Sequence, residues 1–173
     1  MRVPDWYSGN TLNNAAIKYS SNSARANCFY AVSMWENTFN QLPKETPELR
    51  KREVLDSMKF YFDKSVSILP KYGAAQKMRA AVASEYYKLD GNIETLIKVF
   101  DEVNRSGTYD AYVVEYLKYV NTTKVKTKAD AEKLAAFYSS MMMFYKQNYS
   151  TTSLPSEYTN LLSDIQARMI NLQ

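Results

Sequence analysis

The 173-residue sequence contains no histidine, a single cysteine and only four glycines. Without histidine there is no Ser-His-Asp or Cys-His pair, no His-bearing zinc or haem site and no imidazole proton shuttle. The lone Cys28 forms neither an internal disulfide nor a CxxC pair. Four scattered glycines supply neither the hairpin turns of a β-rich protein nor a Gly-rich phosphate loop. Long apolar runs are also missing. The densest, Met141-Met142-Met143-Phe144, is far short of the roughly 18 residues a membrane span needs. The start, Met1-Arg2-Val3-Pro4-Asp5-Trp6, lacks the apolar stretch of a signal peptide. Together these absences exclude most enzyme classes, and no cofactor or metal pattern is present.

What is there is apolar, aromatic and helical in spacing. The chain is 46% hydrophobic, with 15 Tyr, 7 Phe and 2 Trp, and its length suits one domain spanning 1–173. Lysine and arginine exceed acids by four, a mild excess that does not require nucleic acid. Trp6, Leu12, Ala15, Ala16 and Tyr19 recur at helical spacing and predict a helix from Asp5 to Tyr19. Gly9 is expected as its small crossing residue. Ser23 reads as an N-cap for a second helix to Asn40, with Cys28, Ala31, Val32, Trp35 and Phe39 as its stripe. Thr46-Pro47-Glu48 starts a long third helix to Leu69 with proline in the first helical position. Its buried face is Leu55, Met58, Phe62, Val66 and Leu69. Further helices are predicted from Gly73 to Leu89, Ile93 to Asn104, Asp110 to Val120, Thr127 to Tyr149 and Leu154 to Leu172. Asn121 to Lys126 reads as a short polar loop, and Ser150 to Ser153 as a linker. Thr127 with Asp130 resembles a capping box with Asp in place of Glu. The fold class is therefore all-α, with about eight helices.

The punctuation repeats. Ser21 through Ala31 reads as the end of one helical hairpin and the first helix of the next, with Ala31 as the small crossing residue. Asp56 through Pro70 matches a second helix, with Phe62 large, Ser65 small and Pro70 closing. Tyr87 through Leu96 resembles a turn between paired helices, followed by Phe100. In these residues the chain resembles the tetratricopeptide repeat family. Ser21 replaces the usual proline. The spacing from Ser21 to Pro70 is 49 residues rather than about 34, which fits an insertion across Asn37 to Arg52. The resemblance implies a right-handed α–α superhelix of hairpins: units 5–22, 23–70, 73–107 and 110–149, and a capping helix 154–172. Trp6, Leu12 and Asn22-Ser23-Ala24-Arg25-Ala26-Asn27 also resemble the entry to the soluble C-terminal repeat region of bacterial multi-span membrane proteins similar to protein O-mannosyltransferases. That resemblance implies a non-catalytic interaction module on the extracytoplasmic side, the tail of a larger protein preceded by further helices. A free-standing peptide-binding scaffold or co-chaperone is the alternative, and a small helical enzyme using carboxylates is a third.

In such repeats the first helices line a groove that binds protein or peptide segments. Arg25, Cys28, Val32 and Trp35 would face it from one repeat, and Ala74, Lys77 and Ala81 from the next. Trp35 equally fits a core position between Ala31 and Phe39, and Cys28 an inert buried thiol. Two of Met141, Met142 and Met143 are expected to be buried and one partly exposed. Lys124, Lys126 and Lys128 are able to meet phosphate or an anionic surface, but the adjacent Asp130 and Glu132 favour a solvated loop. Tyrosine spacing favours packing between helices over base stacking, so no nucleic acid is expected. The carboxylate pairs Glu45 with Glu48, Asp101 with Glu102 and Asp130 with Glu132 lie near helix starts or on exposed faces and follow dipole and solubility needs. Three Asn-x-Ser/Thr triplets begin at Asn104, Asn121 and Asn148 and arise by chance in so polar a chain.

Overall fold

The computed structural model describes residues 8–108, 111–149 and 154–172. Among them are eight α-helices and no strand: α1 (Gly9–Tyr19), α2 (Ala24–Asn37), α3 (Glu48–Ile68), α4 (Gly73–Asp90), α5 (Ile93–Arg105), α6 (Ala111–Tyr119), α7 (Lys128–Asn148) and α8 (Leu154–Met169). A 3₁₀ turn, Phe39–Gln41, follows α2, and a five-residue π-helical turn, Val120–Lys124, follows α6. The helices pack as two compact units, Met1–Gly91 and Asn92–Gln173.

The helix ends follow local chemistry. Ser23 and Asn92 accept hydrogen bonds from backbone N–H groups in the first turns of α2 and α5. Gly91 ends α4 in the left-handed region at φ 67°, where a side chain would be strained. Other ends differ from expectation. Ser8 caps α1 in a reciprocal box with Thr11, so that helix begins at Gly9 rather than Asp5; Asp5 and Trp6 lie outside the described residues. Gly9 is no crossing residue, since a Cβ there meets nothing within 4 Å. Pro47 is the cap of α3 rather than its first helical residue. The second helix stops at Asn37, where Thr38 leaves helical geometry.

In the first unit α2 and α4 both lie against α3, and α1 lies against α2. Cys28, Ala31, Leu55, Met58, Phe62 and Ala75 form a closed core. Burying side chains the size of Leu55 or Phe62 contributes about 1.5–3 kcal/mol each. Ser65 is buried at the α2–α3 crossing, where its hydroxyl donates to the Ala24 carbonyl at 2.8 Å. Leu69 is 49% exposed instead of core, because it is the extended residue that ends α3. No residue of α1 is fully buried; Leu12, Ala15, Ala16 and Ile17 stay half-exposed.

One contact recurs in this unit. Asn27 is buried near the start of α2, and its amide donates to the Ser21 carbonyl at 2.8 Å. Gln76 is buried near the start of α4, and its amide donates to the Pro70 carbonyl at 2.7 Å. Each side chain ties down the loop carbonyl six residues behind it. The fully buried Ala31 and Ala80 stand one turn further along the same helices.

The second unit packs α5 on α7, α6 on α8 and α7 on α8. Leu96, Phe100 and Val103 turn inward on α5, as do Leu161 and Ile165 on α8. Its centre is polar as well as aromatic. Asn104 donates to the Tyr158 hydroxyl at 2.8 Å and accepts from Tyr145 at 3.0 Å. Asn121 donates to the Leu161 carbonyl at 3.2 Å and accepts from Tyr138 at 2.6 Å. The Tyr145 and Tyr158 rings stack at 5.7 Å. Asn121 is thus a buried tie between helices rather than part of a solvated loop. At α7 the cap is also modified. Thr127 accepts from the Asp130 N–H as expected, but Asp130 turns its carboxylate to the Thr127 hydroxyl at 2.8 Å, in keeping with a side chain one methylene shorter than Glu.

Candidate functional site

The candidate groove residues sit on the two helices that flank α3. Arg25 is exposed on α2, with its guanidinium 5.3 Å from the centroid of the Phe29 ring. Val32 and Trp35 are half-buried against the apolar core, and Trp35 also meets Phe39 at 5.3 Å between ring centres. On α4, Ala74 and Lys77 are exposed and Ala81 is half-buried. Helices α2 and α4 touch each other as well as α3. Trp35 therefore holds an intermediate position, one side against the core and part of its surface open.

Cys28 is 1% exposed, and burial pushes its thiol up to about 11, which leaves it protonated and unreactive at neutral pH. Tyr72 beside it is raised by burial first, with Cys28 adding to the shift and Arg25 opposing it. The outer surface of α3 and α4 carries a polar cluster. Asp63 accepts from Lys59 at 2.6 Å and from Arg79 at 2.7 Å. Asp56 accepts from the Tyr86 hydroxyl, which burial and this bond keep protonated far above the ordinary tyrosine range. Phe60 stands 60% exposed on this surface, edge-on to Tyr61, which in turn meets Tyr30.

A depression of about 540 Å³ lies between α5 and α7 in the second unit. Ile97, Ala136 and Phe137 contribute its apolar lining. Near one part of the rim Glu94 pairs with Lys133 at 2.8 Å, and Lys133 holds the Glu94 carboxyl below its ordinary range. Near another part Arg105 pairs with Asp101 and donates to Ser140, both at 2.8 Å. Of the carboxylates considered for chemistry, Glu48 pairs with Arg52, Asp101 pairs with Arg105, and Asp130 is turned to the start of its own helix. Among the described residues no group of three or more His, Cys, Asp or Glu is placed to hold a metal ion. No described helix is long and apolar enough to cross a membrane.

The methionine run differs from expectation. Met141 alone is fully buried, Met142 is half-buried and accepts from Thr159 at 3.3 Å, and Met143 is 55% exposed. Successive residues on a helix point about 100° apart, so an inward Met141 turns Met143 outward. Of the three Asn-x-Ser/Thr triplets, Asn104 and Asn121 are occupied in the buried network, while Asn148 is exposed.

Compared with protein-family models, curated proteins and solved structures, the chain matches none of them.

Proposed function

We propose that this chain is a non-catalytic protein-interaction module built from tetratricopeptide-like hairpins. In this reading α2 and α4 are equivalent first helices, and they offer Arg25, Val32, Trp35, Lys77 and Ala81 to a peptide segment. The support is the recurring contact in the first unit. Asn27 and Gln76 stand 49 positions apart, the same interval as Ser21 to Pro70 and Ala31 to Ala80. Each makes the same backward hydrogen bond. Two helices that share a buried amide and a small crossing residue in the same register, on either side of one intervening helix, are what duplication of a hairpin produces.

The right-handed winding of the hairpins belongs to the same proposal, as does origin in a larger membrane glycosyltransferase-like protein. A Trp with an Arg and a Lys suits a partner that supplies an apolar anchor beside negative charge. The test is selection of a random peptide library on the full 173-residue chain. Enriched peptides are then measured against the Arg25→Glu/Lys77→Glu double variant. The module reading expects enrichment and at least a tenfold loss of affinity in the variant. Failure to enrich, or peptides that bind both proteins equally, overturns it.

A further inference from the structure

The turn between α6 and α7 carries an unbalanced charge. Four lysines fall between Lys118 and Lys128, with no acid among them. Lys118 is engaged, with Glu115 at 2.9 Å and Glu157 at 3.4 Å. Lys124, Lys126 and Lys128 are exposed and form no ion pair among the described residues. The acids that follow them in sequence do not neutralise them by contact. Asp130 is turned to the Thr127 hydroxyl, and Glu132 pairs with no cation among the described residues.

The backbone beneath these lysines is fixed. Val125, between Lys124 and Lys126, is 1% exposed. Asn121 is tied to Leu161 and Tyr138 from below. Arg168 reaches from α8 and donates to the Thr122 carbonyl at 2.5 Å and the Val125 carbonyl at 3.0 Å. Tyr119 stands 40% exposed beside the turn, with the Lys124 ammonium 5.7 Å from its ring centre. The turn is therefore buried at Asn121 and Val125 and exposes Lys124, Lys126 and Lys128 together with the uncharged Thr122, Thr123 and Thr127.

We propose that this turn is a docking surface for an anionic phospholipid bilayer, with Lys124, Lys126 and Lys128 at the headgroups and Tyr119 at the interface. The chemistry favours a bilayer over a carboxylate-bearing peptide. Planar, directional recognition of a carboxylate favours the arginine fork, and the arginine here, Arg168, has its fork committed to backbone carbonyls. Mobile lysine point charges gain instead from a continuous negative surface. An exposed tyrosine, apolar in body and polar at its tip, suits the headgroup layer. The contact is peripheral and inserts no helix.

The test is sedimentation of the full chain with phosphatidylcholine vesicles, with and without phosphatidylserine. Binding is expected only with phosphatidylserine and is expected to weaken as salt rises. The Lys124→Gln/Lys126→Gln/Lys128→Gln variant is expected to lower the partition coefficient about a hundredfold, and Lys126→Gln alone about fivefold. A matched Lys44→Gln/Lys64→Gln/Lys71→Gln variant is expected to change it less than threefold. Four results overturn the proposal: no preference for anionic vesicles, equal loss in the matched variant, displacement by millimolar inorganic phosphate, or binding to polyglutamate through the same lysines without binding to vesicles.

Discussion

Asn27 and Gln76 make the same hydrogen bond on two different helices: each side-chain amide reaches back six residues to a loop carbonyl, Ser21 in one case and Pro70 in the other. Both side chains are buried, and each holds a loop carbonyl where the loop turns into a helix. Replacing Gln76 by Met keeps the length and removes the donor. The expected cost is about 1–3 kcal/mol, read as a lower urea midpoint, and Asn27→Leu is expected to do the same. A midpoint unchanged by both substitutions contradicts the role given to this pair.

The Asn104–Tyr158 contact leads to a second expectation. Tyr158→Phe retains the ring and deletes the hydroxyl that accepts from Asn104. A buried donor then loses its partner, at a cost of about 1–3 kcal/mol. Asn104→Leu, which removes both the donor to Tyr158 and the acceptor of the Tyr145 hydrogen bond, is expected to cost at least as much. Thermal unfolding of the two variants measures both.

How much of this was legible in the sequence depends on where the information lies. Ser23, Asn92, Gly91 and Pro70 mark helix ends because capping and left-handed geometry are decided by one or two neighbouring residues. The buried faces of α3 and α5 follow from apolar spacing, as Leu55, Met58, Phe62, Leu96 and Phe100 show. The polar centre of the second unit carries no such signal. Asn121 sits among threonines and lysines and reads as loop, yet its partners Tyr138 and Leu161 lie 17 and 40 positions away. Leu69 shows the converse: periodicity continues the apolar stripe onto it, but the helix has already ended. Trp35 fits either a core or a groove position by its spacing, and it stands half-buried against the core beside Phe39.

Arg168 acts on the π-helical turn from a distance of more than forty residues in sequence. Arg168→Ala removes donors from two carbonyls and is expected to cost about 1 kcal/mol, since the site is partly open to water. Hydrogen exchange of residues 120–125 is expected to quicken more than that of α7. Arg168→Lys lacks the fork and is expected to restore part of the protection at most.

Cys28 sets a pH dependence. Its thiol is raised from 9.0 to about 11 by burial, so the folded state favours the protonated form. The corresponding stability is fully present below the unfolded value of 9.0 and is lost as pH rises through about 11. The loss is on the order of 2 kcal/mol. Comparing urea midpoints of the protein and Cys28→Ala across this range isolates it from the tyrosines and lysines that titrate nearby. The alanine variant is expected to show the shallower decline.

The most direct test of the interaction-module account is an amide chemical-shift map of the full chain with the most strongly enriched library peptide. The largest shifts are expected on α2 and α4, at Arg25, Val32, Trp35, Lys77 and Ala81, together with the Trp35 indole. Shifts concentrated on the outer surface around Phe60, or in the depression between α5 and α7, would contradict it.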